Sequence, residues 1–266
     1  VMTVRREEYM YSPPSLYLID GSSYVYRAFF ALKQFLSTKK GLPTNAIYGF
    51  VNMLLKVIKE ENPHYLAIAF DPKADTIRHE QYSEYKANRP SMPTELAQQI
   101  PYIHQIIKAL NIPVLQEDRY EADDIIGTVA KQAAEKGFEV TIVSGDKDLF
   151  QLISSRVRVL DTMKGKVYRA EEVKERYGVE PDKLVDLMGL MGDRIDNIPG
   201  VPGIGQKTAV ELISKFISLE ILLGQLNEVE KEKVRNILAQ NIEQARLSKQ
   251  LATIITDITL EIDMED

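Results

Sequence analysis

The stretch YEADDIIGTVAKQAAEKGFEVTIVSGDKD, residues 120–148, combines a helix, a strand and five carboxylates in one α/β unit. The helical pattern runs from Glu121 to Lys136, and Gly137 follows it at the position where a left-handed residue commonly ends a helix. Residues 139–143, EVTIV, are rich in β-branched side chains and predict a strand. Acidic side chains therefore stand where the helix begins and where the strand ends.

Five carboxylates are concentrated at these two ends. Like charges at this density repel one another unless a cation neutralises them, so the pattern indicates a divalent-metal site. The alternative is that the acids of the first helical turn only cap free amides and oppose the macrodipole. Either cluster alone is compatible with both interpretations. The five acids are Glu121, Asp123, Asp124, Asp146 and Asp148.

Aspartates also end two other apolar runs. SLYLI at 15–19 precedes Asp20, and YLAIAF at 65–70 precedes Asp71. Strands that alternate with helices through short links predict an α/β fold, with a mostly parallel sheet covered on both faces. Ligands bind beyond the carboxyl ends of the strands in such sheets, so Asp20, Asp71 and Asp146 should converge at one edge. This repetition favours a shared metal site.

The pattern changes along the chain. Strands and helices alternate up to about residue 178, and helix follows helix beyond it. We predict an N-terminal extension at residues 1–14, a sheet domain at 15–178 and a helical region at 179–266. The other predicted elements are helices at 23–35, 45–61, 102–110 and 209–216 and strands at 112–115 and 156–160.

Composition restricts the metal and the partner. The 266 residues include no cysteine and three histidines, which excludes thiolate sites and argues against zinc. Oxygen ligands favour Mg2+ or Mn2+. The net charge is −6, yet 39 acidic residues less nine candidate ligands leave 30 against 33 basic residues, which is compatible with an anionic substrate. Without a membrane-length apolar run or a secretory signal, we expect a cytoplasmic protein.

The helical region contributes two more acids and a glycine-rich turn. Asp193 and Asp196 would share a face if their segment is helical, although a capping aspartate fits the same spacing. The turn PGVPGIGQKT at 199–208 matches neither a Walker loop nor a dinucleotide fingerprint. A helix-hairpin-helix fits better, because glycines let the backbone approach a phosphate and the next helix presents free amides. Its expected DNA contacts are Gly200, Gly203, Gly205, Lys207 and Thr208.

Cationic and aromatic side chains mark a polar segment at about 73–101. Together they suit a nucleic-acid strand, through phosphate contacts and base stacking. Interspersed acids show that the segment is not a simple basic patch. Tyr24 and Arg27 are weaker candidates of the same kind. The candidates within the segment are Arg78, Tyr85, Lys86 and Arg89.

Taken jointly, these motifs resemble the flap endonuclease-like 5′ nucleases, most closely the N-terminal 5′-nuclease domains of bacterial DNA polymerase I. The similarity extends from about Leu16 to Asp263, and its motifs are highly specific in combination. The matching pieces are LIDGSS at 18–23, AFD at 69–71, YKANR at 85–89, YEADD at 120–124, GDKDL at 145–149 and the segment 192–209.

The resemblance implies a PIN-like nuclease core, a helical arch at about 73–101 and a helix-hairpin-helix region of the H3TH type that binds duplex DNA. It implies that Lys86, Arg89 and Arg78 engage the 5′ strand and that the hairpin binds a monovalent cation such as K+. Lys86 and Arg89 would be catalytic together with Asp20, Asp71, Glu121, Asp123 and Asp146. The positions that match the family's metal ligands are Asp20, Asp71, Glu121, Asp123, Asp124, Asp146, Asp148, Asp193 and Asp196.

The implied activity is 5′-3′ exonuclease and 5′-flap endonuclease cleavage of DNA by two or more Mg2+ or Mn2+ ions, in primer and flap removal during replication and in repair. The substrate would be DNA with a 5′ flap, a nick or a 5′ end. We expect a monomer in the cytoplasm, associated with the nucleoid. The sequence leaves open whether a polymerase domain is covalently linked.

Two rival functions are considered. A phosphatase of the haloacid dehalogenase type is suggested by Asp20 and by Asp193 with Asp196, but that chemistry needs a second aspartate where Ser22 stands. The other rival is a module that binds flap DNA without cleaving it. A PIN-type ribonuclease would share the core, but the hairpin favours duplex DNA.

Overall fold

The computed structural model describes residues 13–32 and 36–260. The strands are β1 (Ser15–Asp20), β2 (Tyr65–Ala69), β3 (Val114–Leu115), β4 (Glu139–Val143), β5 (Val157–Asp161) and β6 (Lys166–Tyr168). The helices are α1 (Gly21–Ala31), α2 (Asn45–Glu61), α3 (Ile77–Gln81), α4 (Thr94–Ala97), α5 (Ile100–Ala109), α6 (Ala122–Glu135), α7 (Ala170–Tyr177), α8 (Leu184–Met191), α9 (Gln206–Phe216), α10 (Leu219–Gly224), α11 (Glu232–Gln240) and α12 (Ile242–Ala252). Short 3-10 helices lie at Asp148–Leu152, Pro181–Lys183 and Leu226–Glu228.

The strands form one six-stranded sheet in the order β3-β2-β1-β4-β5-β6. All neighbouring pairs are parallel except β5 and β6, which confirms the predicted, mostly parallel sheet. The strand order reverses between β1 and β4, because β2 and β3 lie on one side of β1 and the later strands on the other. Ligands of open α/β sheets bind at such a switch point, beyond the carboxyl ends of the strands.

Apolar side chains of β1 alternate between two buried layers, as the twofold period of a strand requires. Leu16 and Leu18 belong to the layer that contains α6, whereas Tyr17 and Ile19 belong to the layer that contains α1, α2 and α5. The α6 layer continues into the helical region and includes Leu187 of α8. A single apolar core therefore fixes the helical region relative to the sheet.

Most predicted elements are found, with shifts at their ends. The predicted helix at 45–61 and the strand at 139–143 match the observed bounds. Helix α1 begins at Gly21, two residues earlier than predicted, because the Asp20 side chain accepts the Ser23 amide at 2.9 Å and caps it. β3 is only half as long as predicted. Residues 1–12 of the predicted extension, Phe35 and Asp263 lie outside the described residues.

The polar segment at 73–101 contains two short helices, α3 and α4, separated by turns. Its backbone lies against the turn that follows α8: the Lys86 amide donates to the Asp196 carbonyl at 2.9 Å, and the Asn197 side chain donates to the Glu84 carbonyl at 2.6 Å. These bonds bring the cations of the segment to the acids of the helical region.

Ile217, which follows α9, has a backbone conformation that is unfavourable for a β-branched residue, with φ 71°. Its side chain is 62% exposed, so little packing compensates for the strain. Ile217→Gly should raise the free energy of unfolding by about 1 kcal/mol, because relief of about 1–3 kcal/mol of strain exceeds the entropy that glycine adds to the unfolded chain. Denaturant unfolding measures the change.

Ile195→Gly is the matched control for this prediction. Ile195 is equally exposed, at 62%, but its φ is not positive. Its replacement should therefore destabilise the protein by about 0.5–1 kcal/mol through unfolded-chain entropy alone. Equal effects of the two substitutions would show that Ile217 is not strained.

Candidate metal centre and nucleic-acid interface

Asp20 lies at the carboxyl end of β1 and is buried. A hydrogen bond from Ser144, which follows β4, connects the ends of the two strands. Ser144 donates its hydroxyl to the Asp20 Oδ2 at 2.7 Å, and the same hydroxyl oxygen accepts the Asp146 amide at 3.0 Å. The Asp146 Oδ1 in turn accepts the Asp148 amide at 3.0 Å. Ser144 was not among the predicted site residues, although its place directly before Gly145-Asp146 was a usable signal.

Asp71 joins the end of β2 to the start of α6. Its Oδ1 accepts the Ala122 amide at 2.8 Å, and its own amide donates to the Ser22 hydroxyl at 3.0 Å. Asp71 therefore caps the helix whose first turn carries Asp123. The adjacent, parallel strands β2, β1 and β4 thus bring the three aspartates that follow or end them to one edge of the sheet.

Burial and mutual repulsion raise the pKa values of three of these acids. Burial and the charges of Asp71 and Asp146 raise the pKa of Asp20 to about 7. Burial and the charge of Asp146 raise the pKa of Asp148 to about 6, and burial with the charges of Asp146 and Asp20 raises the pKa of Asp123 well above its usual value. We call Asp20, Asp71, Asp123, Asp146 and Asp148 the acidic basin.

Glu121, at the N-cap of α6, is surrounded by donors from the 73–101 segment. Its Oε1 accepts Lys86 Nζ at 2.7 Å, and its Oε2 accepts the Tyr85 hydroxyl at 3.2 Å. Arg78 Nη1 lies 3.4 Å from the same Oε2. Lys86, which is predicted to engage the 5′ strand, therefore stands next to the basin and is paired with a carboxylate.

Asp193 and Asp196 lie on a turn, so the helical segment considered for them is not formed. The Asp193 amide and carbonyl bond to Ile198 at 2.9 and 2.8 Å, which closes the turn. Asp193 pairs with Lys147, and Asp196 pairs with Arg89. Lys147 also contacts Asp148 at 3.2 Å. The turn nevertheless delivers both acids to the edge of the basin.

Asp124 differs from its prediction as a metal ligand. Adjacent helical residues point about 100° apart, so Asp124 turns away from Asp123 and into the protein. It is 0% exposed, and its partners are Arg78, the Glu121 amide and the Ile255 amide. Arg78, which is predicted to bind DNA, is only 4% exposed, and its guanidinium is paired with Asp124 inside the protein.

Three other residues that are predicted to contact DNA, Tyr24, Tyr85 and Arg27, have partners within the protein. Tyr24 and Tyr85 are buried, so neither ring is available for stacking on a base. The Tyr24 hydroxyl bonds to Thr162 at 2.7 Å. Arg27 pairs with the buried Asp161 at 2.9 Å, and its guanidinium occupies the space beside Gly145 that any larger side chain would fill. Arg27 thus supports the loop that carries Asp146.

The glycine-rich turn divides into a buried and an exposed part. Gly200 is buried, and its amide donates to the Ser248 hydroxyl at 2.9 Å, so this amide is not free for a phosphate as predicted. Gly203, Gly205 and Lys207 are exposed, and Gly205 is the N-cap of α9. This exposed part, next to the half-buried Thr208, presents the amide end of α9 to solvent.

The donor set of the basin fits hard divalent cations. All of its side chains offer carboxylate oxygen, the ligand type of Mg2+ and Mn2+. The raised pKa values of Asp20, Asp123 and Asp148 reflect burial and a charge excess that such an ion would relieve. Within residues 13–32 and 36–260, no three aspartate, glutamate or histidine side chains are arranged so that they could already hold a metal ion together. The basin is therefore a group of neighbouring carboxylates, of which Asp148 is paired with Lys147.

Comparisons with known proteins agree with this architecture. The family model described as 5′-3′ exonuclease, N-terminal resolvase-like domain, matches residues 15–178, and that described as 5′-3′ exonuclease, C-terminal SAM fold, matches residues 179–266. Bacteriophage T5 D15 flap endonuclease, solved with DNA and metal ions, shares the fold with a TM-score of 0.77, at 24% identity over 91% of this chain and 90% of that one.

Two curated relatives are much closer in sequence. DNA polymerase I of Bacillus caldotenax is 49% identical over 94% of this chain, which spans 29% of that relative's length. The 5′-3′ exonuclease of Aquifex aeolicus is 45% identical over 95% of this chain and 86% of its own length. With both domains matched and a relative covered almost throughout, the chain belongs to the 5′-3′ exonuclease family.

Proposed function

We propose that this chain cleaves DNA at 5′ ends, nicks and 5′ flaps, with Mg2+ or Mn2+ held by the acidic basin. The observation that carries the proposal is the convergence of Asp20, Asp71 and Asp146 at the switch point of the sheet, with Asp123 and Asp148 beside them. Metal ions bound to the T5 relative and the family assignment support it.

The five basin acids are the residues that would hold the metal ions, with Glu121, Asp193 and Asp196 as further oxygen ligands. Two such ions would supply Lewis-acid activation of the attacking water and stabilise charge on the leaving 3′ oxygen. The basin's own contribution is to collect anionic oxygens where Ser144, the Ala122 amide and the Asp148 amide hold them. These hydrogen bonds fix the carboxylates of Asp20, Asp71 and Asp146 at the sheet edge before a metal ion arrives.

Lys86 and Arg89 are proposed to exchange their carboxylate partners for DNA phosphates. Lys86 now neutralises Glu121, and Arg89 neutralises Asp196. Arrival of a metal ion would compete for these carboxylates and free both cations to bind the 5′ strand. Each cation would then be paired with a carboxylate before DNA binds and with a phosphate afterwards. Each carboxylate would be paired with a cation first and with a metal ion later.

The exposed part of the hairpin is proposed to hold the duplex. Gly203, Gly205, Lys207 and Thr208 lie at the N-terminal end of α9, where amides and the helix dipole favour a backbone phosphate. A K+ ion at this hairpin is proposed on the family resemblance. Such contacts are independent of sequence, which suits an enzyme that recognises a DNA structure.

The cellular setting follows from the family. We propose primer and flap removal in replication and repair, in the cytoplasm with the nucleoid DNA, by a monomer. The chain spans 29% of DNA polymerase I of B. caldotenax and most of the A. aeolicus exonuclease, so a linked polymerase domain and a free-standing enzyme are both represented among relatives. No helix in the described part of the chain is long and apolar enough to cross a membrane.

Digestion of labelled substrates tests the proposal. A 5′-labelled flap, a nicked duplex, single-stranded DNA and a matched RNA should be incubated side by side with Mg2+ or EDTA. We expect Mg2+-dependent release from the flap and the nick. Tight flap binding without cleavage would support the non-catalytic module, and preferential cleavage of RNA would support a PIN-type ribonuclease. Activity on a small phosphomonoester but not on DNA would support a phosphatase of the haloacid dehalogenase type.

The acidic basin should make stability depend on pH in opposite directions with and without metal. Asp20, Asp123 and Asp148 have folded-state pKa values above the unfolded value of 3.8, so these acids bind more protons in the folded than in the unfolded protein between about pH 4 and 7. In the metal-free protein, their contribution to stability therefore falls as pH rises through this window. A divalent ion binds the ionised acids of the folded state, so its stabilisation should grow over the same window.

Thermal unfolding in excess EDTA and in excess Mn2+, at about pH 5 and pH 8, measures this difference. The increase in melting temperature caused by Mn2+ should be larger at the higher pH. An increment that is the same at both pH values would contradict the assignment of the titrating acids to the metal site.

A further inference from the structure

We propose that Asp124 is a positioning residue for the metal centre and not one of its ligands. It forms the centre of what we call the Asp124 cluster: Asp124, Arg78, Glu121 and the backbone of residues 251–255. The cluster sets the orientation of the first turn of α6, which carries Glu121 and Asp123. This inference rests on the proposed function of the acidic basin as a metal centre.

The hydrogen-bonding capacity of Asp124 is fully used. A carboxylate has about four acceptor sites. Two accept Arg78, at 2.6 Å to Oδ2 and 2.7 Å to Oδ1; a third accepts the Glu121 amide at 3.0 Å, and the fourth accepts the Ile255 amide at 2.9 Å. A metal ion could bind Asp124 only after one of these buried donors lost its partner, which carries a desolvation penalty.

Arg78 is equally committed. Besides its bidentate pair with Asp124, it donates Nε to the Leu251 carbonyl at 3.0 Å and Nη2 to the Thr253 carbonyl at 2.7 Å. Its Nη1 lies 3.4 Å from Glu121 Oε2. The planar fork of arginine matches this set, and the point charge of lysine would not.

The cluster joins three parts of the chain that are distant in sequence. Arg78 belongs to α3 at the start of the polar segment, Asp124 to α6, and residues 251–255 to the end of α12 and the chain beyond it. The amide of Ile254 also donates to Gln151 Oε1 at 2.9 Å, in the 3-10 helix that begins at Asp148. The acids at the start of α6 and those in the loop after β4 are thus both connected to the same segment, residues 251–255.

Glu121 is the point at which the cluster reaches the basin. The amide of Glu121 is held by Asp124, while its side chain contacts Arg78 and Lys86. Asp123 lies between these two anchored residues on the same turn, so a shift of Asp124 moves the carboxylate of Asp123 relative to Asp20 and Asp146. Partners behind metal ligands commonly act in this way.

Three variants test the proposal: Asp124→Asn, Arg78→Lys and the double variant. Each single substitution should lower kcat for Mg2+-dependent flap cleavage by about 10- to 100-fold. The double variant should be no worse than the poorer single variant, because the two residues act as one unit. The Kd for flap DNA in EDTA should stay unchanged, and so should the number of Mn2+ ions bound, measured by electron paramagnetic resonance of free Mn2+.

Two comparisons identify the cause of any loss. Asp146→Asn, which removes a basin acid, should reduce Mn2+ binding itself. Asp186→Asn is the matched structural control, because Asp186 is also buried, pairs with Lys249 at 2.6 Å and accepts the Leu219 amide at 3.1 Å, but on α8. It should lower the melting temperature and leave kcat unchanged at temperatures where circular dichroism shows a folded protein.

Loss of Mn2+ binding in Asp124→Asn but not in Arg78→Lys would identify Asp124 as a ligand and overturn the proposal. Wild-type kcat in both single variants would also overturn it, because neither residue would then position the metal centre. If the wild-type protein itself cleaves no flap in Mg2+, the proposed function fails instead. The Mn2+ titration still decides between a ligand and a positioning residue in that event.

Discussion

Asp146→Ala is expected to lower kcat for 5′-flap cleavage by about 100- to 1,000-fold, the loss typical for removal of one group that stabilises charge in the transition state. The charge of Asp146 raises the pKa of the three basin acids Asp20, Asp123 and Asp148. Removal of its charge therefore affects several acids of the basin at once. Single-turnover cleavage of a labelled flap in Mg2+ measures the loss.

Two further variants separate chemistry from folding. Asp182→Ala removes an exposed aspartate of the helical region and should leave kcat unchanged. Asp146→Asn keeps an oxygen for the Asp148 amide but removes the charge, so it should lose activity while the metal-free protein becomes more stable at about pH 8. Cleavage by Asp146→Ala at the wild-type rate would show that this residue is outside the metal site.

The strand ends are the part of the site that sequence alone could locate. A parallel sheet places the carboxyl ends of its strands at one edge, so Asp20, Asp71 and Asp146 needed only three apolar runs to be assigned to one place. The same argument carried the start of α6 to that edge. The mostly parallel sheet and the helical region follow from hydrophobic periodicity, which is the strongest local signal in a sequence.

The orientation of neighbouring acids was harder to infer. Asp123 and Asp124 are adjacent and chemically identical, yet only Asp123 faces the basin. Asp124 shares a helix face with the buried Thr128, four residues later, and this spacing was visible in the sequence. Its partner Arg78 is 46 residues away and could not be recognised, because a buried ion pair between distant segments leaves no local pattern.

An aromatic or cationic residue next to a motif is weak evidence for a DNA contact. Tyr24 and Tyr85 complete apolar clusters, and their hydroxyls bond to Thr162 and Glu121. An aromatic ring with a polar tip serves a buried position with one hydrogen-bond partner as well as it serves a base. Sequence does not distinguish these environments, since both require the same side chain.

Gly200→Ala is the substitution with the largest expected effect on stability. Gly200 has φ 62°, and an added Cβ would overlap the Gly192 amide and lie 2.7 Å from Gly192 Cα. Both neighbours are backbone, so they cannot turn aside as a flexible side chain would. Backbone strain and overpacking together should lower the free energy of unfolding by about 3 kcal/mol or more.

Gly203→Ala separates the two causes of this loss. Gly203 also has a positive φ, 81°, but its added Cβ would meet only Ile237 Cδ1 at 3.9 Å. Its replacement should therefore cost only the conformational strain, about 1–2 kcal/mol. Urea unfolding of both variants gives the comparison, and equal losses would contradict a steric role for Gly200.

Gly192 and Gly200 enclose the turn that carries Asp193 and Asp196. Because Gly200→Ala forces these two backbone segments apart, it should displace both acids and weaken flap cleavage as well. The hairpin that would hold the duplex and the turn that would bind metal then depend on one glycine contact.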